Sequence, residues 1–259
     1  MEFDPGLAIR LSEFRLAFEY GQGVFGPKPE MRRLDAIRPS LADPDCGGPD
    51  PVYGIAMDIG REEDRSLLKE RMLLFGAVVY AAGCLGGEPV RSQGHIHSIA
   101  PHCGWSPPEI FEIWSGRAII YAQQYAEDDP GRCVAVHVKA GEQVIVPPGW
   151  AHCVINADPH SRMAFGAWCD RQYGFDYAGV RAHHGLAWFP MLNHSHEIRW
   201  EPNEFYLSSA LEQHGARAYP ELGLDPSLSL YRQFVDRPDS VMFVAEPQRA
   251  ATCWPTFIP

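Results

Sequence analysis

Gly94-His-Ile-His97 and Gly141-Glu-Gln-Val-Ile-Val-Pro147-Pro-Gly149-Trp-Ala-His152-Cys-Val-Ile-Asn156 are the two stretches on which the fold turns. In the first, His95 and His97 stand two residues apart, a spacing that puts both imidazoles on one side of a β-strand. Glu109 follows twelve positions after His97 and opens the next strand-like run. In the second stretch a glycine starts a strand, Pro-x-Gly makes a tight turn, and His152 comes three residues after Gly149. A turn there aims His152 into the same interior. Three neutral imidazoles and one carboxylate suit Fe²⁺, Mn²⁺, Ni²⁺, Co²⁺ or Zn²⁺, with iron placed first, and leave positions open for water or substrate. Such a set holds too few oxygens for Ca²⁺. Glu112, the rival carboxylate, is three residues from Glu109 and so belongs to the other face of the strand. His194-Ser-His196 repeats the spacing without a carboxylate or turn and reads as surface, and His102 reads as a loop residue.

Working outward, Phe75–Ala82, Ile110–Gln123, Cys133–Val138, Gln143–Val146, Cys153–Asn156 and Met163–Trp168 are β-rich runs punctuated by Gly, Pro and Asp. Short strands without interleaved helices predict an all-β sandwich or barrel. The expected organisation is an N-terminal arm and helix over 1–74, the barrel over 75–180, and an extension over 181–259 that packs on the barrel or on a partner subunit. Pro29 to Ile37 is a candidate short helix. The best helix is Arg61 to Leu74, with Glu62, Glu63 and Asp64 in its first turn. Gly21-Gln-Gly-Val-Phe-Gly26 satisfies G-x-G-x-x-G, but Pro27 and Pro29 follow at once and block the helix a dinucleotide site needs.

A net charge of -11 argues against nucleic acid and against an anionic membrane surface as partners. Seven cysteines, an odd number with no C-x-x-C pair, fit free thiols in a reducing, cytoplasmic setting. No apolar run approaches the roughly 20 residues that span a bilayer.

The two histidine-bearing stretches resemble the paired signature motifs of the cupin superfamily. The second matches throughout from Gly141 to Asn156. The first carries His-x-His and Glu109-x6-Gly116, with a longer gap, Ser98–Pro108, between them. Within cupins the chain is similar to the cupin-type glucose-6-phosphate isomerases, as a bacterial variant. The similarity rests on Ser92-Gln-Gly-His-Ile-His97, Glu109-Ile-Phe-Glu-Ile-Trp-Ser-Gly116, Ile120-Tyr-Ala-Gln123, Val146-Pro-Pro-Gly-Trp-Ala-His152 and Gly-Phe-Asp-Tyr177. It implies a double-stranded β-helix (jelly-roll barrel) with metal ligands His95, His97, Glu109 and His152. It also implies phosphate contacts near Ser92 and Gly94 and a sugar-side aromatic at Tyr177. Val78, Phe111 and Phe175 depart from the family's Thr, Tyr and His.

The implied activity interconverts glucose 6-phosphate and fructose 6-phosphate through a cis-enediol or a metal-assisted hydride shift, with Glu109 moving the proton and Tyr177 beside it. Tyr121 and Gln123, at even offsets from Glu109, are expected to line the barrel and touch substrate, and Arg91 is the basic candidate for the phosphate. The expected partner is a small sugar phosphate, and the expected assembly a homodimer. Two other functions fit the same ligand set: an iron-dependent oxygenase and a non-catalytic sugar-phosphate-binding cupin.

Overall fold

The computed structural model describes residues 3–259. Its frame is ten strands and two short helices: β1 (Glu30–Arg32), β2 (Tyr53–Met57), α1 (Arg65–Glu70), β3 (Leu73–Tyr80), β4 (Glu109–Ser115), β5 (Arg117–Gln123), β6 (Cys133–Lys139), β7 (Gln143–Val146), β8 (Ala151–Asn156), β9 (Met163–Asp170), β10 (Leu211–Gly215) and α2 (Leu230–Asp236). They form two facing sheets, β7-β4-β9-β3-β2-β1 and β8-β5-β6-β10. Every pairing within them is antiparallel except β6 with β10. The expected all-β cupin barrel is what the chain builds.

The chain passes from one sheet to the other between β4 and β5, at Gly116. Its φ of +79° lies in the left-handed region, where an added Cβ would sit 3.1 Å from the Arg162 carbonyl, so glycine suits this corner. The register also shifts between Ile113 and Ser115. In β4 the odd residues Phe111 and Ile113 join the barrel interior, whereas in β5 it is the even residues Ala118, Ile120 and Ala122.

Both outer faces of the barrel are covered. Ile110, Trp114, Phe75 and Trp168 turn away from the interior and pack against N-terminal residues, α2 and the chain up to Phe257. On the other sheet Ile119, Tyr121, Cys153 and Ile155 pack under Val180, Leu186 and Tyr206. Antiparallel strands usually alternate apolar and polar because one face meets water. Here all eight residues of β3 and all eight of β9 are buried, so these strands read as nearly unbroken apolar runs.

This arrangement corrects the expected boundaries. β1 and β2, from the supposed arm, extend the barrel sheet past β3, and β10, from the supposed extension, pairs with β6. The Pro29–Ile37 segment begins as strand and is helical only over Leu34–Ile37. The Arg61–Leu74 helix is shorter than its spacing suggested. A 3-10 turn, Glu62–Asp64, leads into α1, and Met72 at φ +55° ends it so that β3 can begin. Leu68 anchors it, fully buried. The glycine-rich stretch after Tyr20 leads into the two-residue strand Val24–Phe25, not a helix.

Candidate metal centre and cavity

His95 and His152 face each other across a bridge between backbones. The His95 N–H donates to the His152 carbonyl at 3.1 Å, and the His152 N–H returns the bond at 2.9 Å. The next two residues, Ile96–His97, pair with Phe175–Asp176. Strand alternation then turns Ile96 toward the outer cover and both imidazoles inward. The ring centroids of His95, His97 and His152 lie 4.5–5.2 Å apart. Glu109, the first residue of β4, completes the group, and the ligand-type atoms of all four residues lie within 4.8 Å of one another.

In two of the rings the outward nitrogen explains the state of the inward one. His97 Nδ1–H donates to the Pro107 carbonyl at 2.9 Å, and His152 Nδ1–H donates to Trp150 O at 3.1 Å. Their Nε2 atoms are thereby left to face the cluster, the tautomer a metal-binding imidazole needs. Glu109 Oε2 lies 3.2 Å from both Nε2 atoms, close enough to share a cation with them. Nε2 of His95 and of His97 are buried with no hydrogen-bond partner among the described residues, a costly condition that a bound cation would relieve. Burial, reinforced by the charges of His152 and His97, holds His95 well below the ordinary histidine range. Burial alone would raise the Glu109 carboxyl, but the close imidazoles of His152 and His97 overcome it and hold the group below the usual carboxylate range. The second carboxylate oxygen, Oε1, accepts the Cys169 thiol at 3.1 Å. These donors fit a divalent transition ion.

Three of the four residues, His95, Glu109 and His152, line a cavity that is partly open to solvent, and His97 stands just behind them. Its walls are mostly apolar, with Val78, Phe111, Phe165 and Phe175 prominent. Ser92 and Tyr177 line it too. Ser92 Oγ is engaged by the Val154 N–H at 3.0 Å, and the Tyr177 ring lies 6.0 Å from that of His95.

Other expected contacts are not there. Tyr121 and Gln123 point out of the barrel: the parity change at the Gly116 corner puts odd residues of β5 on the outer face. Tyr121 packs against Trp200, and Gln123 accepts the Ala187 N–H at 2.8 Å and donates to the Tyr125 carbonyl at 2.6 Å. Gly94 faces Leu186 and does not line the cavity. Arg91 is buried under the barrel wall, bonded to Glu88 and to the carbonyls of Ser40 and Ser92. Glu112 is on the far side of β4, accepting hydrogen bonds from Trp114, Gln143 and Leu230. His194 and His196 are exposed.

Three residues missed from sequence complete the site. Arg32, on the edge strand β1, lines the cavity beside Tyr53, and its Nε is buried without a partner. Arg181 lies over the Tyr177 ring, 5.0 Å from its centroid, and donates to Gln93 at 3.0 Å. Cys169 holds Glu109. None carries a local sequence signal, because each arrives from a segment outside the two histidine stretches.

Among solved structures, oxalate oxidase in complex with glycolate aligns at TM-score 0.33 and 18% identity, over 41% of this chain and 46% of that one. Vicilin from hazelnut (Corylus avellana) aligns at TM-score 0.38 and 11% identity, over 60% and 36%. A Bacillus subtilis oxalate decarboxylase variant aligns at TM-score 0.34 and 14% identity, over 50% and 29%. The chain thus spans under half the length of each of these. The search of curated proteins returned no match. The sequence profile described as Glucose-6-phosphate isomerase (GPI) matches residues 41–203, more than half of the chain, from ahead of β2 to beyond Tyr177 and including all four clustered residues. By that match the chain belongs to the glucose-6-phosphate isomerase family, aldose–ketose isomerases of the cupin type.

Proposed function

We propose that this protein interconverts glucose 6-phosphate and fructose 6-phosphate with one divalent transition ion held by His95, His97, Glu109 and His152. The observation that carries the reading is the pair of buried, partnerless Nε2 atoms converging with a carboxylate at the wall of a cavity. A bound ion there would polarise adjacent sugar oxygens and stabilise the negative charge that develops on them.

The remaining work belongs to the chain. Moving a proton between C1 and C2 through a cis-enediol needs a base beside both carbons. Glu109 is the carboxylate at the cluster, and Cys169 holds one of its oxygens while the other faces the imidazoles. Arg32, the cation of the cavity wall, suits the phosphate, with the Tyr53 hydroxyl alongside. Tyr177 stands on the sugar side; burial raises its hydroxyl above the ordinary tyrosine range, so it stays protonated at neutral pH. The phenylalanine-lined wall gives the reacting carbons a largely apolar surround. Assembly as a homodimer is part of the same proposal, and light scattering showing a monomer would reject that part.

The test is a coupled isomerase assay on chelator-stripped protein reloaded with single metals. Activity should vanish on stripping, return with Fe²⁺ or a neighbour in the series, and be lost in Glu109→Ala. Substrate-dependent oxygen consumption, or tight sugar-phosphate binding with no turnover under any metal, would overturn it.

A further inference from the structure

Beside the cavity, the loop 98–108 and the end of β9 bring together a second donor set. His102 Nε2 lies 3.1 Å from Asp170 Oδ2, and with Cys103 Sγ the three ligand-type atoms lie within 4.8 Å of one another. Asp170 is 1% exposed. One of its oxygens accepts the Gln172 N–H at 2.7 Å, while Oδ2, apart from its off-axis contact with His102, is buried with no hydrogen-bond partner among the described residues. An orphaned, buried carboxylate oxygen is expensive, and the same signature marks His95 and His97 in the first cluster. The imidazole is crowded by acceptors as well. Its Nδ1 faces Gln172 Oε1 at 3.2 Å, and its Nε2 faces the Ala245 carbonyl at 3.0 Å in addition to Asp170. A ring with two nitrogens meets three acceptor oxygens.

We propose that His102, Cys103 and Asp170 form a second metal site, for a zinc-class divalent ion. One thiolate, one imidazole and one carboxylate are the mixed S, N and O donors that a borderline-soft ion takes. The ion would occupy the lone pair of Nε2, satisfy Oδ2 and displace the thiol proton on binding. Such a site would tie two regions to one point. The loop 98–108 already holds His97 through the Pro107 carbonyl. Asp170 directly follows Cys169, which holds Glu109. The second ion would therefore act on the cavity as a clamp on its supporting loop, not as a reactant. The competing arrangement is an imidazolium–carboxylate pair with no ion.

Titration of chelator-stripped protein with Co²⁺ separates the two. Wild type should bind two equivalents and develop thiolate-to-cobalt charge-transfer absorption. Cys103→Ser should keep one equivalent, lose that absorption, and show at least a hundredfold weaker second binding. His102→Gln, at a partly exposed ring, should do the same if the serine variant folds poorly. Cys169→Ser separates the sites, because its thiol touches only the first cluster, and should leave the absorption in place. A single equivalent in wild type, or absorption that survives both Cys103→Ser and His102→Gln, would overturn the proposal.

Discussion

Arg91 is buried behind the cavity wall and Arg32 stands half-buried on the wall itself, and on the proposed function they have opposite roles. Arg91 donates to Glu88 at 2.5 Å, to Ser40 O at 2.6 Å and to Ser92 O at 3.0 Å, and both side chains of the ion pair are at most 3% exposed. Arg91→Met would strand the Glu88 carboxylate with only the Ala42 N–H as partner and leave two carbonyls without donors. Breaking a buried pair from one side costs about 3–5 kcal/mol, and at roughly 2–4 °C per kcal/mol for a chain of this size the melting temperature should fall by about 6–20 °C. The folded fraction should keep its KM for sugar phosphate, because Arg91 is outside the cavity. Arg32→Met should show the reverse: a melting temperature within a few degrees of wild type, and loss of a charge-assisted bond of about 1.5–3 kcal/mol. That is roughly a ten- to hundredfold rise in KM. Glu88→Gln combined with Arg91→Met should recover much of the lost stability. Thermal melts with steady-state kinetics on the same preparations decide the matter. A stability loss below about 1 kcal/mol in Arg91→Met, or a tenfold rise in its KM, would refute the division of roles.

Cys169→Ala removes the thiol from Glu109 Oε1 and should weaken metal retention by about ten- to a hundredfold, as loss of a partner behind a ligand does; competition with a chelator reads this directly. Gly166→Ala should cost about 1–3 kcal/mol or more by overpacking, because its Cβ would come within 2.2 Å of Trp114; denaturant melts should show the loss with metal content unchanged. Burial pushes Glu112 up to about 8 against three hydrogen-bond donors. The native state then keeps a proton that the unfolded chain releases above about 4.3. Its stabilising contribution is full below that value and drains away as pH climbs to about 8. Relative to Glu112→Gln, wild type should lose stability across that window, on the order of a few kcal/mol, and a difference that is flat with pH would count against it.

The clustering of His95, His97, Glu109 and His152 was legible because it depends on period-two alternation within single strands and on one tight turn. The same rule failed for Tyr121 and Gln123, because counting from Glu109 crossed a bulge and a corner between sheets, where the inward parity reverses. Domain boundaries were misjudged for an energetic reason. With both outer faces of the barrel covered, strands lose their polar alternation, and short edge strands such as Glu30–Arg32 carry almost no pattern. Arg32, Arg181 and Cys169 reach the site only through tertiary packing, and no local spacing announces them.

The edge strand β1 has a further consequence. The histidines and Glu109 come from the two histidine-bearing stretches and the start of β4, whereas the cavity's cation rides on a separate three-residue strand at the rim of the sheet, paired with β2 among the described residues. On the proposed function, ion capture and recognition of an anionic substrate are thus assigned to mechanically separable parts of the chain. Exchanging that one ribbon could retune which sugar the protein accepts, neutral or phosphorylated, while the four-residue nest stays as it is.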